Sequence, residues 1–210
     1  MAIKWSYGLN QWRGSSHDRF VLRREHERAM KTVSVSGFTG VEIAAGTGRW
    51  EPLGRKDSLE LHYGSVRKFR DLLQDCALEA VSSYYYDPGQ RIFEEDSLMG
   101  RSVLARANHA GITESIRQYA ELLVELGGQC VVVRAMPSWS ANRALDAEAI
   151  ALAADCWNRV GAVVGEYGIH LAVHPDALSM LRTPDDIGRL LDACDPKTVG
   201  LSFDTAEVTL

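Results

Sequence analysis

The stretch that most restricts how this chain can fold is 170–210, HLAVHPDALSMLRTPDDIGRLLDACDPKTVGLSFDTAEVTL. It opens on a short apolar run at 170–173 and comes back to another at 199–203. Runs of that length and composition suit strands buried on both faces, as in a parallel sheet. Between them Thr183 can cap a helix and Pro184 fits its first turn. Asp185 and Asp186 complement the positive end of the helix dipole, and Ile187, Leu190, Leu191 and Cys194 supply an apolar stripe. The segment is therefore a βαβ unit, with His174 closing its first strand and Asp204 its second. In parallel α/β folds the working residues gather at the carboxyl ends of strands, where both of these lie.

The same alternation runs back to the start of the chain. Strands are expected at 4–10, 40–45, 78–86 and 130–136, with helices at about 20–33, 65–77, within 111–126, and 146–167. A glycine-rich loop is expected between the second strand and the helix at 65–77. Six units of about 35 residues each scale to about 280 residues for eight, within the range of a (β/α)8 barrel. The reading is a single domain over 1–210, an α/β barrel of TIM (β/α)8 type, incomplete with about six βα units. An open doubly wound sheet is the competing architecture. Its first βα turn normally carries a glycine fingerprint, whereas this first strand runs into Asn10, Gln11, Trp12 and Arg13. Gly46, Thr47 and Gly48 resemble a phosphate cradle only loosely, lacking GxxxxGK[ST] or GxGxxG.

Charge and hydropathy narrow the function classes. A formal net charge of −5 and the absence of a basic tract argue against a nucleic-acid surface. No apolar run approaches the length of a membrane span, and the start MAIKWSYGLN has no signal-peptide core, so no membrane contact and a cytoplasmic location are expected. Cys76, Cys130, Cys156 and Cys194 are widely spaced and fall in or beside apolar stretches, which fits reduced core thiols.

Two motifs resemble the xylose isomerase-like TIM barrels, which include sugar phosphate isomerases and epimerases and inosose dehydratases. HPDALSMLRTPDDIGRLLDACDPKTVGLSFDT is similar to that family's strand five, helix and strand six, and GFTGVEIA at 37–44 to its second strand with an inward Glu. The resemblance implies one divalent ion, manganese, magnesium or zinc, held by carboxylates and a His at strand ends. Carried onto this sequence, the ligands are Asp204, His174 in or next to a slot usually filled by Glu, and Glu207 where the family has a His. It also implies proton transfer next to a carbonyl through a metal-stabilised enediolate, with His174 expected as the base, since an imidazole changes charge near neutral pH, and Glu42 as a second candidate. The DNA-repair endonuclease branch of the superfamily fits poorly, since it needs more ligands and a basic groove.

Trp12, Trp50 and Trp139 follow strands one, two and four, and Tyr86 ends strand three, a grouping suited to stacking on a sugar ring. Arg134, at a strand end, is the arginine placed to pair with a phosphate or carboxylate. Each of these residues also has a plainly structural alternative in packing or capping. The sequence stops soon after a core strand, which suggests a shortened product, or a second copy or partner chain covering the open barrel edge. The expected ligand is a small sugar or cyclitol. The expected activity is a sugar or sugar-phosphate isomerase or epimerase; the alternatives are an inosose dehydratase-like lyase and a non-catalytic sugar-binding or partner subunit.

Overall fold

The computed structural model describes residues 4–9, 19–44, 51–89, 102–138 and 145–203. The chain divides into two compact units, Met1–Tyr85 with Glu121–Gln129, and Tyr86–Ala120 with Cys130–Leu210.

In the first unit, β1 (Ser6–Gly8), β2 (Gly40–Ala44) and most of β3 (Ala80–Tyr86) run parallel, with β2 in the middle. Val41, Ile43 and Ala44 are buried, the expected state for a central parallel strand packed on both faces. The register breaks once: Val41 pairs with Val81, but Glu42 pairs with Ser83, leaving Ser82 as an extra residue on β3. Ser82 Oγ turns back to Val41 O at 3.2 Å. α1 (Arg19–Val35) precedes β2. In the described part of the connection from β2 to β3, α4 (Val66–Asp75) is the helix expected at 65–77, and two short helices, α2 (Glu51–Gly54) and α3 (Lys56–Tyr63), precede it where a glycine-rich loop was expected. Leu53, Leu59 and Tyr63 are buried, so these short helices cover core that a loop would leave open. Ser65 starts α4 by accepting from Lys68 N at 3.1 Å.

The second unit holds the parallel strands β4 (Cys130–Arg134), β5 (His170–His174) and β6 (Val199–Leu201), paired in that order. α5 (Arg106–Glu125) precedes β4, and α6 (Ala147–Glu166) and α7 (Pro184–Ala193) make the next two crossovers. Asp146 caps α6 by accepting from Ala149 N at 2.8 Å, and Thr183 caps α7 with Pro184 in its first turn, as the sequence predicts. The buried stripe of α6 centres on Trp157, fully shielded, whose Nε1 donates to Ala135 O at 2.8 Å and ties the helix to the end of β4. Gly161 lets α6 approach β6 closely, since a Cβ there would stand 2.7 Å from Thr198 O. Cys76, Cys156 and Cys194 are buried thiols. Burial pushes the Cys156 and Cys194 thiols up to about 12 and about 11, which leaves them protonated and inert at neutral pH. Among the described residues no helix is long and apolar enough to cross a membrane.

Candidate active site at the carboxyl ends of the strands

Glu42 sits two residues before the end of β2, with its carboxylate largely shielded from water. Its Oε2 accepts from Ser83 Oγ at 2.7 Å. The extra residue in β3 makes this bond, because it sets Ser83, and not Ser82, opposite Glu42. Burial pushes the Glu42 pKa up from its ordinary value, and the Ser83 hydroxyl partly opposes that rise by favouring the ionised form. The result is a carboxylate more basic than an exposed one.

The second unit brings together His174 and Arg134, the last residues of β5 and β4 and partners in the parallel register. Arg134 is held by two carboxylates. Its Nη1 lies 3.3 Å from Asp87 Oδ2, just past β3, and its Nε lies 2.9 Å from Asp176 Oδ2, just past β5. The Nε–H is not aligned along a hydrogen bond, so the contact with Asp176 is an ion pair held by charge. The three side chains are 18%, 14% and 22% exposed, so this cluster is shielded more than a surface ion pair. The segments after β4 and β5 are also laced through their backbones: Met180 N donates to Pro137 O at 2.9 Å, Ala135 N to His174 O at 3.3 Å, and Ser138 bridges Ser179.

Tyr86 has moved from the expected ligand surface into the core. Its ring is fully buried, packs on Tyr119 at 5.5 Å between centroids, and its hydroxyl pairs with Ser115 Oγ at 2.7 Å. A ring so enclosed offers no face for a sugar to stack on. Trp12, Trp50, Trp139, Asp204, Glu207 and the Gly46 to Gly48 loop lie outside the described residues.

For a divalent ion, an imidazole and two carboxylates are a suitable mixed N/O donor set, and of that set the described residues include His174. Among the described residues no group of three or more His, Cys, Asp or Glu side chains is placed to hold a metal ion. Asp176, although two residues from His174, does not offer a spare carboxylate. Its Oδ1 accepts from Leu178 N at 2.7 Å and its Oδ2 faces Arg134. Ser83, Asp87 and Asp176 were not singled out from sequence. Only the turn-forming steps Asp87-Pro88-Gly89 and Pro175-Asp176 hinted at the two aspartates.

The family model described as "Xylose isomerase-like TIM barrel" matches residues 30–209. Among curated proteins, the inosose dehydratase of Bacillus velezensis is 40% identical over 48 residues, covering 23% of this chain and 16% of that protein. Among solved structures, D-allulose 3-epimerase from Methylomonas sp. in complex with D-allulose superposes with a TM-score of 0.66 at 17% identity, over 95% of this chain and 61% of that one. A xylose isomerase-like TIM barrel protein from Mycobacterium smegmatis in complex with magnesium gives 0.65 at 18% identity, over 96% and 64%. The chain thus spans less than two thirds of the length of each, and the two solved structures speak to the fold alone.

Proposed function

The chain belongs to the xylose isomerase-like TIM barrel family, and from that premise we propose that it removes and returns the proton on a carbon next to the carbonyl of a sugar or cyclitol, with Glu42 as the base. The observation that carries this reading is Glu42 itself, a shielded carboxylate whose pKa burial raises and whose described partner is a neutral hydroxyl. A base is most effective when its pKa approaches the working pH, and a raised carboxylate moves toward that condition. Such groups in a strand-end setting are candidates for proton transfer.

Glu42 takes the C–H proton, and the electron pair of that bond becomes the enediolate. Return of a proton to the other face of the same carbon gives the epimer. Delivery to the neighbouring carbon gives the aldose–ketose isomer, and loss of the hydroxyl on the carbon beyond, which leaves as water with a proton from His174, gives the dehydration product. His174 is the second proton carrier, since an imidazole can give and accept protons near neutral pH. The ligand set assigned to manganese, magnesium or zinc is His174 with Asp204 and Glu207, and what a bound divalent ion supplies is polarisation of the carbonyl oxygen. Trp12, Trp50 and Trp139 are assigned to the ring face of the ligand.

The D-allulose complex of the epimerase and the inosose dehydratase match support a polyol ketone as the ligand. A neutral one is favoured over a phosphate at the β4 end, because Arg134 already faces two carboxylates. A cytoplasmic location and a second copy or partner chain against the β6 edge, where Leu201 and Phe203 are exposed, belong to the same proposal. A monomeric mass in light scattering would contradict the second copy.

The test is to incubate the chain with D-fructose, D-allulose or an inosose, with manganese, magnesium or zinc added, and follow the products by 13C NMR. Conversion of one of them supports the reading. Binding without conversion under every metal would leave a sugar-binding subunit instead.

A further inference from the structure

We propose that Arg134 is a positioning residue whose one guanidinium holds the turn after β3 and the turn after β5 against the end of β4, so that the two turns keep or lose their shape together. Asp87 and Asp176 are used in the same way. Each closes its own turn with Oδ1, which accepts from Gly89 N at 2.8 Å in one case and from Leu178 N at 2.7 Å in the other. Each turns its Oδ2 to Arg134, at 3.3 Å and 2.9 Å. The cluster carries one positive and two negative charges in a place where water reaches little of any of the three side chains. Take the guanidinium away, and two shielded carboxylates lose the counter-charge they share. Relief comes from rotating a carboxylate toward water, and that rotation breaks the turn which its other oxygen closes.

The arrangement explains why the arginine at the end of β4 is an arginine. A guanidinium spreads its charge over several nitrogens, so Nη1 can meet one carboxylate while Nε meets the other, as two carboxylates arriving from two different loops require. It also gives Asp176, the second residue after His174, a structural role distinct from metal binding or proton transfer. Because His174 is the register partner of Arg134, the device fixes the loop that leaves the proposed proton carrier. That consequence rests on the proposed function, whereas the coupling of the two turns does not.

Amide hydrogen exchange on the full chain without substrate tests the coupling, so a failure here is separable from a failure of the proposed chemistry. In Arg134→Met, the protection of the Gly89 and Leu178 amides should fall together, by about tenfold or more, while the interior amides of α6 keep theirs. The Gly89 turn should respond more strongly, since the β5 turn keeps its backbone links to Pro137 and Ser138. Loss in one turn alone, no loss in either, or an equal loss across α6 overturns the proposal. If Arg134→Met does not fold, Arg134→Gln, whose side chain is better suited to a polar site, is read by the same three comparisons.

Discussion

Glu42 and Arg134 are both charged groups drawn out of water near strand ends, and the protein treats them in opposite ways. Arg134 is given two carboxylates within 3.3 Å, so its charge is matched and its place is set. Among the described residues Glu42 is given burial and one hydroxyl, so its charge is costly there and its proton affinity rises. A compensated charge is suited to holding loops in place. An uncompensated one is poised to exchange a proton, and proteins tolerate that cost where chemistry repays it.

The sharpest way to break this contrast is to neutralise each group and compare both rate and stability. Glu42→Gln should lower turnover by about 10²–10⁴-fold, the usual worth of a positioned base. Its unfolding temperature in calorimetry should hold or rise, because an amide is cheaper to bury than a carboxylate. Arg134→Met should do the reverse to stability, costing under about 1 kcal/mol in urea denaturation, because the loss is confined to the two turns. If both substitutions destabilise alike, the contrast is lost.

Ser83→Ala sharpens the Glu42 half. Removing the hydroxyl takes away the interaction that lowers the Glu42 pKa, so the acidic limb of kcat/KM should move to higher pH. The rate at a fixed pH on that limb should fall, by about tenfold at most. A limb that stays in place would show that another group governs it.

The smallest effect is in the pH dependence of stability. The folded pKa of Glu42 is raised above an ordinary value near 4.5, so the folded chain binds this proton more tightly than the unfolded chain does. Its favourable contribution is full below the ordinary value and is lost as pH rises through the folded one. The stability gained by Glu42→Gln over the wild type should therefore open across that window and then stay flat, as read from urea midpoints between pH 4 and pH 8.

The crossovers in the second half of the chain were readable because their signals are local. Asp146, Thr183 and Pro184 mark helix starts by hydrogen bonds and dihedrals that need no distant partner, and the α6 stripe repeats over about four turns. The region before α4 was not readable in the same way. Leu53, Leu59 and Tyr63 are split between two short helices, so no single helical period spans them, and the neighbouring glycines suggested a loop. At the site, the position of Glu42 on β2 followed from its place in an apolar run. Its pairing with Ser83 did not, because the extra residue in β3 is a property of two strands in register and leaves no mark in either alone. For the same reason the sequence leaves Arg134 looking like a partner for a ligand phosphate or carboxylate. Its two carboxylates come from loops far away in sequence, and only the fold sets them around it.

The most direct measurement is deuterium incorporation into D-allulose or an inosose held with the chain in D₂O, with Glu42→Gln and Arg134→Met alongside. The account predicts deuterium on the carbon next to the carbonyl with the wild type, almost none with Glu42→Gln, and a reduced but measurable amount with Arg134→Met. Incorporation by Glu42→Gln at the wild-type rate would contradict the assignment of Glu42 as the base.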